Sequence, residues 1–420
     1  MQTQTSRIQQ DLETLATYTS TPGQGVTRSS YSKEDTMAKE YLIGEMEKLH
    51  LHIYQDSVGT IFGRREGTIP DAPVVMFGSH YDSVVHGGAF DGAAGTVAAL
   101  EVMRVLTEEH FCNDYPLELI LMNAEEGATF GPCTGVRNSR AMVGPITMEE
   151  LRTVKNRFGQ TELEAMKEYG LNPDLASCVR KPGSIKNFVE LHVEQGPVLD
   201  QAQVDVGLIR YLAGIGRYTL RFHGQTADST APMSSRKDAL VAAAAFIQAF
   251  DAQIKALGED VTGMMGKLDI TPNSNQFVPE RVEGKIEIRT FSKAITETTD
   301  FKQLIQTILD EVSHKYGIAC ELEEIRRVGY SNPTGPSIMN GDNVEKLRSI
   351  CDHLGYRYLE INNGTGHDSM IMTDFCDTNM IYVPSRNHGV SHCPEEFTDY
   401  ESIKKGADVL LEFIKEISKA

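Results

Sequence analysis

Val74-Val75-Met76-Phe77-Gly78 is an unbroken apolar run of strand length. A strand with no polar face has to be covered on both sides, which calls for a largely parallel sheet between two layers of helices. No other feature constrains the chain as much, and the pattern recurs. Segments 117–122, 185–191 and 380–384 read as further buried strands, and 51–62 reads as strand, turn, strand around Asp56-Ser57 and Gly59. Amphipathic periodicity predicts helices over 8–17, 36–49, 93–106 and 400–419. The expected fold is α/β, a three-layer α/β/α domain.

Residues with chemistry follow these runs. His80 and Asp82 close the first, and Gly87-Gly88-Ala89-Phe90-Asp91-Gly92 is a glycine-rich turn beyond it. Glu125-Glu126 follows the second, His192 the third and His392 the fourth. In an open α/β sheet the carboxyl ends of the strands are where ligands bind. Taken singly, each residue has an ordinary explanation. A lone histidine is usually a hydrogen-bonder, a Glu-Glu pair a solvated helix start, Asp91-Gly92 a turn and Asp82 a helix cap. That explanation is kept for His50, His52, His110, His314 and His353. For the main set it is recurrence at strand ends, in the order H-x-D, G-G-x-x-D-G, E-E, H, H, that is specific.

Three histidines with an Asp and a Glu are a donor set for two borderline divalent ions, zinc, manganese, cobalt or nickel. His80, Asp91, Glu126, His192 and His392 are the expected ligands, with Asp91 placed to bridge. Glu125 would be the general base. Asp82 would accept the second N–H of the His80 imidazole. The pattern reads as a two-metal hydrolase.

Composition removes other classes. A net charge of −19 argues against nucleic acid or an anionic membrane as partner. The longest apolar run, 240–250, is short of a membrane span and contains Gln248. The first residues lack the apolar core of a secretory signal. Seven cysteines, odd in number and without a C-x-x-C, fit reduced thiols in the cytoplasm. With 420 residues, two domains are expected. Segments 216–224, 235–257, 261–271, 282–291, 298–316 and 318–325 read as strand, helix, strand, strand, helix, strand. That βαββαβ order is a ferredoxin-like unit. The expected limits are 211–328 for this inserted lid or dimerisation domain, hinged near Gly214, Gly216 and Ser331-Asn332-Pro333. Residues 1–210 and 329–420 form the metal-binding domain.

The strings Gly78-Ser79-His80-Tyr81-Asp82-Ser83, Asn123-Ala124-Glu125-Glu126-Gly127, Glu190-Leu191-His192-Val193-Glu194-Gln195-Gly196-Pro197, Gly366-His367-Asp368 and Ser391-His392 run through nearly the whole chain. In these the chain resembles the N-carbamoyl-L-amino-acid hydrolase and allantoate amidohydrolase family, within the dinuclear metallo-aminoacylases and carboxypeptidases. The resemblance implies the five ligands above, Glu125 as base, and a homodimer acting on a small molecule that bears a carboxylate. It places Gln195, Arg289 and His367 near substrate, with Arg289 on the substrate carboxylate.

Two strings depart from the family. Where it carries N-H-A-G-T-T-P-M, whose histidine reaches across the dimer to the substrate carbonyl, this chain has Ala227-Asp228-Ser229-Thr230-Ala231-Pro232-Met233. Where it carries N-V-I-P, this chain has Gln276-Phe277-Val278-Pro279. Three readings follow. His223 replaces the missing donor in an active enzyme, Asp228 meets a cationic group of an unusual substrate, or catalysis has been lost and the chain serves as a binding protein. The first ranks highest because all five ligands and Glu125 are present. The expected activity is hydrolysis of a non-peptide C–N bond, with N-acyl-amino-acid hydrolysis or dipeptidase action as the alternative.

Overall fold

The computed structural model describes residues 2–130, 134–325 and 335–420. Cys133, the expected domain limit at 328 and the expected Ser331-Asn332-Pro333 hinge lie outside them. Along the chain come α1 (Thr5–Thr17), α2 (Lys33–Glu47), β1 (His52–Gln55), β2 (Ile61–Arg65) and β3 (Val74–His80). Next are α3 (Ala93–Glu108), β4 (Leu117–Met122), α4 (Arg137–Val143), β5 (Ile185–Val193) and β6 (Val206–Leu212). Then follow β7 (Gly214–His223), α5 (Ala239–Ala256), β8 (Val261–Thr271), β9 (Arg281–Thr290), α6 (Phe301–Tyr316) and β10 (Ala319–Glu324). The chain closes with α7 (Gly341–Leu354), β11 (Tyr358–Asn363), α8 (Asp368–Met372), β12 (Asp377–Val383) and α9 (Tyr400–Ile417). Two compact units result, one of Met1–Arg210, Ile338–Ile361 and His367–Ala420, the other of Tyr211–Ser337 and Asn362–Gly366.

The first unit is built on a sheet with the path β1-β2-β4-β3-β5-β12-β6, to which β11 and the short Ser337–Ile338 strand add at the β6 side. β4, β3, β5 and β12 run parallel. Every residue of β3 and β4 is buried, as their apolar runs require. Alternation divides these side chains between two cores. Val75, Phe77, Leu119 and Leu121 join the core that holds α1, α3 and α9. Val74, Met76, Ile120 and Met122 face Met142 of α4 and Met372 of α8. Each such buried side chain contributes roughly 1.5–3 kcal/mol relative to exposure. The three-layer α/β/α expectation describes this arrangement.

α3 lies against the sheet because its inner residues are small. An ideal Cβ at Gly95 would stand 1.9 Å from the Leu191 carbonyl oxygen, so the helix backbone touches β5 directly. The parallel register then fixes what emerges at the carboxyl edge. Phe77 pairs with Val189, and His80 and His192 each come three residues later on their strands.

The second unit has an antiparallel sheet in the order β10-β7-β9-β8, with α5 and α6 packed on one face. Phe246, Phe250, Ile305 and Leu309 meet Leu220, Phe222, Ile286 and Ile288 in its core. On strand pairs of this sheet, Arg217–Glu287 at 2.6 Å and Arg221–Glu283 at 2.9 Å are cross-strand ion pairs. The predicted helix 298–316 starts later, at Phe301, because Asp300 accepts from the Gln303 N–H at 3.0 Å and caps it. The apolar run 240–250 extends into an 18-residue helix, α5, that by length and composition alone could cross a membrane. Here it is a core helix with Ala242, Phe246 and Phe250 buried and Val241 and Gln248 exposed.

Gly95→Ala is expected to lower stability by about 1–3 kcal/mol, since the backbone of β5 has to move. Gly44→Ala, in α2 with nothing within 4 Å of its Cβ, is expected to be neutral or to stabilise by up to ~1 kcal/mol. Thermal unfolding midpoints of the two variants check the contrast.

Candidate metal centre

His80 ends β3 with its Nδ1 3.1 Å from the Asp82 carbonyl oxygen and 3.3 Å from Asp82 Oδ1. His192 on β5 directs Nδ1 to the Val193 carbonyl oxygen at 2.9 Å. Carbonyl and carboxylate oxygens only accept, so Nδ1 of each ring is the donor there and Nε2 faces inward. Those Nε2 atoms lie 3.3 Å apart, and 3.5 Å and 3.1 Å from Asp91 Oδ1. His392 approaches the other oxygen, with Nε2 3.0 Å from Asp91 Oδ2 and 3.4 Å from Glu126 Oε2.

Two groups of donors converge, His80–Asp91–His192 and Asp91–Glu126–His392, each with its ligand atoms within 4.8 Å of one another. Asp91 belongs to both. Facing lone pairs repel unless a proton or cation lies between them, and Glu126 Oε1 is buried without a hydrogen-bond partner. These residues therefore fit metal ions.

The loop after β4 is held from the side. Asp82 accepts the backbone N–H groups of Glu125 at 3.0 Å and Glu126 at 3.2 Å. The Val136 N–H donates to the Glu125 carbonyl at 2.7 Å, and Val136 adopts φ +50°, a costly conformation for a β-branched residue. Asp82, expected as the partner of the His80 ring, is thus also the anchor of the Glu125-Glu126 turn.

Burial and acid crowding shape the electrostatics. Burial, together with the carboxylates Glu126, Asp368 and Asp82, pushes Glu125 well above the ordinary carboxylate range, against the pull of His80. Burial and Asp91 push Glu126 up to about 8. Burial would also raise Asp91, but His192, His392 and His80 hold it well below the usual range. Hydrogen bonding to Asp91 lifts His392 to about 9, against burial. In His80 the opposing effect of burial is overcome by Glu125, Asp82 and Asp91, and its pKa rises well above normal. The pocket attracts positive charge.

Gln195 donates from Nε2 to Asp91 Oδ2 at 2.6 Å, and its backbone is left-handed at φ +56°. His367 is buried, with Nε2 2.7 Å from the Tyr382 hydroxyl and its ring centroid 4.5 Å from that of His192. The other expected substrate residues belong to the second unit. Arg289 donates from Nε to Glu287 at 2.7 Å and from Nη1 to the Gly364 carbonyl. Asp228 is exposed and accepts from the Thr230 N–H and hydroxyl, which lower its pKa, so it is an anion with no proton to donate. The Gln276 carbonyl accepts from the Ser229 N–H at 2.9 Å. His223 ends β7 with Nε2 3.3 Å from Glu321 Oε1.

Sequence reading passed over several residues. Glu190 accepts the hydroxyls of Ser79 at 2.9 Å and Ser369 at 2.6 Å, joining β3, β5 and α8 just before His80 and His192. Tyr382 and Ser385, which accepts the Gln195 N–H at 3.0 Å, were also missed. A serine or tyrosine inside an apolar strand carries no signal of its partner.

Residues 74–416 match the model of peptidase family M20/M25/M40. The chain is 33% identical over 419 residues to an N-carbamoyl-L-amino-acid amidohydrolase of Paenarthrobacter aurescens, covering 99% of this chain and 98% of that one. It is 30% identical to an allantoate amidohydrolase of Bacillus subtilis (strain 168), covering 97% and 96% of the two chains. The crystal structure of an amidase of the hydantoinase/carbamoylase family from Burkholderia multivorans aligns with a TM-score of 0.85 at 27% identity, covering 100% of this chain and 99% of that one.

Gly92 has φ +63°, and a Cβ there would stand 2.3 Å from the His80 ring. Gly92→Ala is expected to displace His80 and weaken divalent-metal affinity by roughly 10–100-fold. Metal analysis of the dialysed variant beside the unmodified protein checks this.

Proposed function

This chain belongs to peptidase family M20/M25/M40, and on that premise we propose that it hydrolyses the non-peptide C–N bond of an N-carbamoyl-L-amino acid or of a ureido acid such as allantoate. One observation carries the proposal: two donor groups share Asp91, while Glu125 belongs to neither and lies 3.9 Å from His80 of the first. Relatives with 33% and 30% identity over nearly the full chain carry the two substrate names.

The ligands proposed are His80 and His192 on one side, Glu126 and His392 on the other, and Asp91 between. The mixed imidazole and carboxylate set suits zinc, manganese, cobalt or nickel. Two such ions, when bound, supply an acidified water and Lewis-acid polarisation of the scissile carbonyl. Glu125 takes the proton from the attacking water and passes it to the leaving nitrogen, so one residue serves as base and then as acid. Asp82 keeps Glu125 and Glu126 on their respective sides through the two backbone N–H groups. Gln195 orients Asp91 through its Oδ2 contact. From a carbamoyl substrate the products are carbon dioxide, ammonia and the free amine.

The assembly proposed is a homodimer. Its support is β8, whose outer edge pairs with no other strand among the described residues and whose Met264 is 62% exposed. A long free edge is a pairing surface that proteins usually cover.

Purified protein reconstituted with each of the four metals is expected to release ammonia and free amine from an N-carbamoyl-L-amino acid or allantoate. Glu125→Gln is expected to lower kcat by about 10²–10⁴-fold with metal content retained. Amine without ammonia from N-acetyl-amino acids would instead make the protein a deacylase. Sedimentation equilibrium is expected to return twice the chain mass, and a monomer would remove the dimer.

A further inference from the structure

Glu396 takes no part in the chemistry above, yet it is a carboxylate only 4% exposed. A buried charge is costly unless hydrogen bonds satisfy it, and here four donors converge on two oxygens. Oε1 accepts the backbone N–H groups of Phe90 at 3.1 Å and Asp91 at 2.9 Å. Oε2 accepts the Ser391 hydroxyl at 2.6 Å and, at 3.4 Å, the N–H of His392. One oxygen therefore grips the turn that carries Asp91, and the other grips the loop that carries His392. Ser391 Oγ also lies 3.1 Å from Asp91 Oδ2, which closes the link between the two loops.

Two further features belong to the same arrangement. A Cβ on Gly88 would stand 2.1 Å from Glu396 Oε1, so the second glycine of Gly87-Gly88 is the space this carboxylate occupies. His392 has φ +58°, a left-handed conformation that is unfavourable for a residue with a Cβ. The hydrogen bonds at Ser391 and His392 help to hold it there.

We propose that Glu396 is a positioning residue of the metal centre, whose carboxylate spans the two loops and sets the placement of Asp91 and His392. It thereby controls the affinity of the Asp91–Glu126–His392 group for its cation. The inference rests on the metal-site reading above and is independent of the substrate chosen. The span matters more than the charge. Glutamine keeps the length: its oxygen can accept from Phe90 and Asp91, its NH₂ can donate to Ser391 Oγ, that hydroxyl can turn to Asp91 Oδ2, and only the long 3.4 Å contact from the His392 N–H is lost. Aspartate keeps the charge but is one methylene short of reaching both loops.

The test is competitive Co²⁺ titration of the full chain against a chromophoric chelator, with the cobalt d–d absorption recorded and no substrate present. Glu396→Asp is expected to weaken the second of two cations at least 10-fold and to alter its absorption, with a smaller effect on the first. Glu396→Gln is expected to stay within threefold of the unmodified protein. Affinity within twofold in Glu396→Asp, or a loss shared equally by both cations, overturns the proposal. A Gln variant as weak as the Asp variant overturns it too, because charge rather than placement would be responsible. Should Glu396→Asp not fold, Ser391→Ala decides: a threefold or greater loss at the second cation supports the link, and unchanged affinity overturns it. Because metal binding alone is read, an inactive enzyme would count against the proposed reaction and leave this result standing.

Discussion

Three imidazoles converge on the carboxylate of Asp91, and the surrounding structure is arranged around that convergence. Oδ1 faces His80 and His192, while Oδ2 faces His392 and Gln195. A carboxylate used from both sides has to be held in orientation as well as position. α3 begins immediately after it, with Gly92 leaving room for the His80 ring and Gly95 seated on the β5 backbone. The same helix therefore aligns the acid with both strand histidines.

Around this centre the protein crowds carboxyl groups whose ionisation burial makes costly. Glu125, Glu126, Asp82, Asp368 and Glu396 are all buried or nearly so, and none is neutralised by an arginine or lysine contact in the described structure. Backbone N–H groups and hydroxyls answer some of them instead, Asp82 through two amides and Glu396 through three amides and a serine, while Glu125 and Glu126 lie 3.9 Å and 3.4 Å from histidine nitrogens. Neutral donors orient a carboxylate without cancelling its charge, which leaves the centre attractive to cations. Left-handed backbone at Gln195, Val136 and His392 clusters in the same region, as strain commonly does at functional sites.

Much of this was legible in the chain. Apolar runs gave β3 and β4 within a residue or two, because a strand buried on both faces is rich in apolar residues, although β4 also buries Glu118. Period-2 and period-3.6 patterns in the second half identified the strands and helices of the ferredoxin-like unit. The histidines and acids stood out because they interrupt or follow apolar segments. For Glu396, Ser391, Glu190, Tyr382 and Ser369 no role was legible, although Glu190 and Ser391 lie within the strings that carry the family resemblance. Each acts through a partner remote in sequence, such as Asp91 for Glu396, and a one-dimensional pattern does not encode that pairing. Boundaries also shifted where a cap intervened, as at Asp300 before α6.

The sequence by itself determined the element types, the α/β class and the inventory of donors, since hydrophobic periodicity and residue chemistry are local properties. Tertiary structure alone decided how that inventory is grouped. The parallel register brought His80 beside His192, the turn at Asp91 placed one oxygen on each side, and Glu396 tied the loop of His392 to the turn of Asp91. Grouping depends on distances between segments hundreds of residues apart, and only the packed sheet and its helices set them.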